Sequence, residues 1–159
     1  MHEFTLDDKG RLRLWNEKEL KRGDKKTPSG YVPSIYIMKC EGRIVYVGET
    51  KNGIVRCIKG LHNNLNESIA YKWRAKEFLR NKTLDCIIFQ ELHDTTKFNP
   101  ADQREALEAE IAYIVKDETE EWPLCLSKIN PSALMSRDAV HKKLAESIHY
   151  QLCKLKWFS

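Results

Sequence analysis

The chain contains short runs of apolar residues, some alternating with polar ones, between longer stretches that repeat apolar residues every third or fourth position. The short runs predict a hairpin over residues 3–15 and strands at about 34–39, 43–48 and 84–92. The longer stretches predict helices over about 53–61, 66–81, 100–116 and 136–157. We therefore expect an α+β fold in which a small three-stranded antiparallel sheet is flanked by helices.

The chain divides into three expected parts. Residues 1–30 combine the hairpin with a lysine-rich linker, residues 31–131 form the core, and residues 132–159 form a helix that packs on this core. The apolar stripe of this last helix consists of Val140, Leu144, Ile148, Leu152 and Leu155. Because such a stripe can also join two copies, we expect a monomer or a homodimer.

The turn between the first two core strands determines where two tyrosines point. A two-residue turn at Glu41-Gly42 would need a positive φ at Glu41, where Asn, Asp or Gly is preferred. We therefore expect a three-residue loop over residues 40–42, with a positive φ at Gly42 only. In that register Tyr36 faces Tyr46 directly, so both rings lie on one face of the sheet.

Charge and composition narrow the class of partner. A length of 159 residues and a hydrophobic content of 42% fit one independently folding domain. The net charge is +4; residues 1–82 carry 18 Lys and Arg against 10 Asp and Glu, whereas residues 83–159 carry 9 against 13. The basic half suits a polyanion such as nucleic acid, although a solvated surface would explain the same imbalance.

Cysteine usage and hydropathy indicate a reducing compartment. No apolar run approaches the roughly 20 residues of a membrane helix, and the N-terminal residues lack a signal-peptide core, so we expect a cytoplasmic protein. The cysteines are widely spaced, which argues against a zinc site or a disulfide framework and predicts reduced core thiols. They are Cys40, Cys57, Cys86, Cys125 and Cys153.

The helix predicted over residues 100–116 offers three carboxylates, Glu105, Glu108 and Glu110. At 100° per residue, Glu110 lies roughly 65° from the centre of the apolar stripe, Glu108 about 95° and Glu105 about 155°. Glu110 is therefore the acid expected to point most nearly inward.

Three short motifs follow one another between residues 34 and 56. They are Ile35-Tyr36, Tyr46-Val47-Gly48, and Asn52 followed by Arg56. In this order and spacing, residues 33–130 resemble the core of a GIY-YIG nuclease. Ser34 stands where the family has its first glycine, and Gly60 stands where many members have a His or Tyr.

The resemblance implies metal-dependent hydrolysis of phosphodiester bonds in DNA, with RNA as the other substrate to consider. Tyr36 would act as general base or position the attacking water, and Tyr46 would orient the phosphate. Arg56 would neutralise the phosphate, and Glu110 would bind one Mg²⁺ or Mn²⁺ ion, since Glu110-Ile-Ala-Tyr113-Ile114 matches the family pattern. Contacts to nucleic acid are expected from Lys51, Asn52, Lys59, His62 and Asn130.

Each motif also has a structural interpretation. Paired tyrosines stabilise many hairpins, an exposed arginine is usually solvated, and a glutamate beside an apolar stripe is usually a surface acid. Two alternatives to the nuclease therefore stay open. One is a catalytically inactive nucleic-acid-binding module on the same scaffold, and the other is a small protein-interaction domain.

Overall fold

The computed structural model describes residues 2–6, 12–14, 34–50, 77–79, 81–89, 101–126 and 139–158. The strands are β1 (His2–Leu6), β2 (Leu12–Leu14), β3 (Ser34–Cys40), β4 (Arg43–Thr50) and β5 (Thr83–Phe89). The two long helices are α1 (Ala101–Thr119) and α2 (Ala139–Lys154). The α+β class is confirmed. The helix predicted over 53–61 lies outside the described residues, as does most of the one over 66–81.

The strands form one antiparallel sheet in the order β2-β1-β5-β3-β4. Its centre is the expected three-stranded unit, in which β3 pairs with β4 on one side and with β5 on the other. The predicted N-terminal hairpin is β1–β2, and β1 continues the sheet by pairing with β5. The hairpin therefore extends the core sheet to five strands.

The β3–β4 turn differs from the predicted three-residue loop. Cys40 pairs with Arg43 across a two-residue turn, in which φ is 48° at Glu41 and 81° at Gly42. Positive φ at both central residues gives the turn a twist that matches the twist of the flanking strands, and this gain outweighs the unfavourable conformation of Glu41. Lys82 Nζ donates to the Glu41 carboxylate at 2.5 Å from the turn preceding β5.

A β-bulge changes the register beyond this turn. Lys39 pairs with Ile44, but Met38 pairs with Tyr46, so Val45 is an extra residue in β4. The bulge lets both Val45 and Tyr46 lie in the same hydrophobic cluster, whereas Ile44 and Val47 lie in the other. The prediction that Tyr36 lies directly opposite Tyr46 is therefore wrong, because the two residues are diagonal neighbours.

The two faces of the sheet carry separate hydrophobic clusters. The tyrosine face contains Tyr36, Met38 and Tyr46 together with Leu79 and Cys125. The helix face contains Ile35, Ile37 and Val47 packed against buried residues of α1 and α2. Alternate residues of a strand point to opposite faces, so β3 contributes in turn to each cluster.

The end of α2 explains why its stripe differs from the prediction. Lys156 adopts φ 57°, its N–H donates to Cys153 O at 3.0 Å, and Trp157 N–H donates to Leu152 O at 2.9 Å. This pattern is a Schellman motif, which reverses the chain and returns its apolar residue to the helix. Trp157 is accordingly buried, whereas Leu155, predicted in the stripe, is 55% exposed.

Three cysteines are buried free thiols as predicted, namely Cys40, Cys86 and Cys125. Burial, helped by the neighbouring Cys40, raises the pKa of Cys125 to about 12, so this thiol stays protonated. Cys153 corrects the prediction, because it is exposed on α2, with Sγ 3.4 Å from His149 Nε2. Among the described helices, none offers the uncharged apolar length that a bilayer requires.

Candidate active site

Two tyrosines from neighbouring strands are in contact on the tyrosine face. Their ring centroids are 5.5 Å apart, and the ring planes are inclined by 30°. Tyr36 pairs with Gly48 across the hairpin, and Tyr46 pairs with Met38, so the two rings meet on a diagonal. The predicted common face of the phenols is confirmed, and only their register needs correction.

Gly48 makes room for this pair. A Cβ atom at position 48 would lie 2.5 Å from Cζ of Tyr36, 2.5 Å from Cε1 of Tyr46 and 2.6 Å from the Tyr36 hydroxyl oxygen. Real Cβ atoms essentially never approach other atoms within 3.0 Å, so a side chain here would displace both rings. The tyrosines are 3% and 7% exposed, so little free space surrounds them. Gly48 therefore fixes where the two phenols lie.

Glu110, the predicted metal ligand, is half-buried on α1. The neighbouring Ile111 is fully buried in the cluster on the helix face, so α1 packs on the side of the sheet opposite to the tyrosine rings. The helix lies closer to β4 than to β3, and β4 is the edge strand of the described sheet. Glu110 therefore lies on a helix that covers the face of the sheet opposite to the phenols.

The remaining predicted site residues lie outside the described part of the chain. They are Lys51, Asn52, Arg56, Lys59, His62 and Asn130. The described residues thus bring together the two tyrosines and Gly48, and they place Glu110 on the helix behind the same hairpin.

A cluster of charged residues that the sequence analysis missed joins α1 to the end of β4. Arg104, only 4% exposed, donates from Nε to the Glu49 carboxylate at 2.5 Å. The backbone N–H of Glu49 donates to the carboxylate of Glu108, and Glu105 lies close enough to act on the same group. Glu49 directly follows Gly48, so α1 is tied to the residue next to the tyrosine pair.

Glu108 is held in its neutral form by this environment. Burial is the largest cause, the negative charges of Glu49 and Glu105 add to it, and together they raise the pKa of Glu108 to about 8 despite the hydrogen bond from Glu49. A carboxylic acid that keeps its proton at neutral pH can donate a hydrogen bond or a proton. One sequence signal pointed here: Arg104 and Glu108 are four residues apart and so share a helix face.

The metal ligand that the resemblance implies is a single carboxylate, Glu110. Within the described ranges, no three His, Cys, Asp or Glu side chains are grouped to hold a metal ion. A single carboxylate such as Glu110 would leave most of the coordination shell to water and phosphate oxygens. Magnesium is commonly bound in this way.

Comparisons of the chain with protein-family models, with curated proteins and with solved structures gave no match. The functional argument therefore rests on the residues themselves and on the order of the elements that carry them.

Proposed function

We propose that this protein is a metal-dependent endonuclease that hydrolyses phosphodiester bonds in DNA on a GIY-YIG-like scaffold. The observation that carries the proposal is the packing of Tyr36 and Tyr46 over Gly48. These three residues belong to the motifs of the resemblance, and the hairpin, β5 and α1 follow in the order that the resemblance implies.

Hydrolysis would proceed by attack of water on phosphorus, with a new P–O bond formed and the bond to the leaving sugar oxygen broken. Tyr36 would accept a hydrogen bond from the attacking water and pass its proton on to solvent, the leaving sugar oxygen would take a proton from solvent, and Tyr46 would orient the phosphate. Arg56 would stabilise the charge that develops on the phosphoryl oxygens. A Mg²⁺ ion bound by Glu110 would supply Lewis-acid stabilisation.

The proposal also includes DNA as partner and a cytoplasmic location. The excess of 18 Lys and Arg over 10 Asp and Glu in residues 1–82 supports a polyanionic partner. The buried free thiols of Cys40, Cys86 and Cys125 support a reducing compartment.

The test is a cleavage screen on plasmid, branched and single-stranded DNA with Mg²⁺ or Mn²⁺. Substitutions Y36F, Y46F, R56A and E110Q should each lower the cleavage rate by about 100-fold or more while DNA binding in EDTA persists. Two matched controls should cleave normally. They are Y150F, at a tyrosine that is 69% exposed, and D117N, at an exposed acid on α1.

One observation favours the inactive nucleic-acid-binding module as second candidate. The tyrosines are almost fully buried, and α1 lies behind the opposite face of the sheet. Covering Gly48 would therefore be enough to explain why both phenols are present. A wild-type protein that binds DNA with strong salt dependence, yet cleaves no substrate with either metal, would decide for this module.

A further inference from the structure

An open cleft of about 540 Å³ lies beside the start of β4, between that strand and the segment after α1. Apolar and aromatic groups of Trp122, Pro123 and Leu124 line it, and two cations and two acids join them, namely Arg43, Lys116, Glu120 and Glu121. Its volume falls in the range of small-molecule sites, which usually combine an apolar floor with a few polar groups.

The indole of Trp122 is a fixed aromatic surface in this cleft. It is 40% exposed, and Tyr113 of α1 contacts it edge to face, with centroids 5.0 Å apart and planes at 72°. An aromatic ring that is both held in place and exposed is the group on which unpaired bases stack in proteins that bind single strands.

Two cations line the same cleft as the indole, and both are held by groups that a phosphate can replace. Arg43 pairs with Glu121 at 2.8 Å, and their side chains are 40% and 58% exposed. Lys116 Nζ donates to the backbone carbonyl of Glu120. Exposed ion pairs of this kind contribute little to stability, so the exchange of Glu121 for a phosphate oxygen costs little.

The cleft and the tyrosine pair are connected through β4. Cys125 N–H donates to Val45 O at 2.7 Å, and Leu124 packs on the cluster of the tyrosine face. Arg43 pairs with Cys40 and Gly48 pairs with Tyr36, so because of the bulge at Val45 this part of β4 spans four residues of β3, which is about 13 Å at roughly 3.3 Å per residue. A stacked strand advances about 3.4 Å per nucleotide, so this distance corresponds to about four nucleotides.

We propose that this cleft binds an unpaired base of the DNA strand about four nucleotides from the tyrosine pair, with Trp122 stacking on the base and Arg43 and Lys116 contacting phosphate. This subsite rests on the proposed function for its choice of ligand. The subsite would distinguish single-stranded from paired DNA, because only a base outside a duplex can stack on the indole.

The test measures binding without cleavage, using a fluorescein-labelled 12-nucleotide oligo-dT and anisotropy in EDTA. W122A should weaken binding by about 5- to 100-fold, the range expected for one stacked base, and W122F should retain most of the affinity. E121Q should bind about 3-fold more tightly with a steeper salt dependence, because it releases Arg43 for phosphate. Urea midpoints of the variants would establish that each is folded.

A series of oligonucleotides with one abasic position locates the stacked base. Wild type should lose affinity at a single position, and W122A should show no such dependence. If W122A binds within two-fold of wild type, or if E121Q shows no gain in affinity, the proposal is overturned. The cleft would then be a site for a peptide or another partner. If binding depends on Trp122 but the protein cleaves no DNA, the nuclease proposal is refuted and the subsite proposal stands.

Discussion

Replacing Gly48 by Ala tests whether the tyrosine pair depends on the missing side chain. The new Cβ would lie 2.5 Å from one atom of each ring. Carbon atoms prefer separations of about 3.5–4.0 Å, so each ring must move by roughly 1 Å. Both rings are buried, and overpacking of this kind costs about 1–3 kcal/mol. Alanine recovers up to about 1 kcal/mol of backbone entropy, which leaves a net loss of about 1–2 kcal/mol.

Urea denaturation measures this loss, and a double-mutant cycle assigns its cause. Tyr36→Leu removes the Cζ and hydroxyl atoms nearest to position 48, so the double variant should be at least about 1 kcal/mol more stable than additivity predicts. Gly42→Ala is the matched control, because it meets no atom within 4 Å and is strained only by its φ of 81°. Its effect should add to that of Tyr36→Leu. A G48A variant within about 0.5 kcal/mol of wild type, or simple additivity, would refute the reasoning.

Three further outcomes are expected. The folded chain keeps the Glu108 proton up to about pH 8, whereas the unfolded chain releases it near 4.5. The contribution of Glu108 to the free energy of unfolding is therefore complete below pH 4.5 and falls as pH rises to 8, by at most about 1.4 kcal/mol per pH unit. Urea titrations should show this slope in wild type and not in E108Q. Arg104→Ala should cost about 2–4 kcal/mol, because it leaves the Glu49 carboxylate without its arginine, and E49Q should recover part of that loss in the double variant. Leu152→Ala should cost about 2–5 kcal/mol and Leu155→Ala less than about 0.5, as measured by thermal unfolding, since only the first is buried.

The sequence predicted elements better than it predicted their ends. Strong apolar alternation and helical spacing located β3, β4, β5 and α1 within a few residues, because burial of one face dominates such segments. The prediction from periodicity failed at the bulge of Val45, since an extra residue interrupts the two-residue period without any change in composition. It failed again after Lys156, where a left-handed residue ended the helical period and placed Trp157 in the core.

The candidate site was predictable in part for the same reason. Periodicity on two strands sufficed to put both tyrosines on one face, but the environment of Glu108 depends on Glu49, which is 59 positions earlier in the sequence. Helical angles alone favoured Glu110 as the inward acid. They could not show that the backbone of β4 would reach Glu108, because that contact is set by how α1 docks on the sheet.

The docking of α1 and the placement of the phenols are physically coupled through two adjacent residues. Arg104 and Glu108 hold the side chain and the backbone of Glu49, respectively, from the helix face. Gly48, the preceding residue, contacts both tyrosines on the other face with no space for even one additional carbon. A shift of a few tenths of an ångström in this part of β4 would therefore be transmitted to the rings, because close-packed interiors transmit strain. The charged cluster on one side of the sheet is thus connected through Glu49 and Gly48 to the phenols on the other.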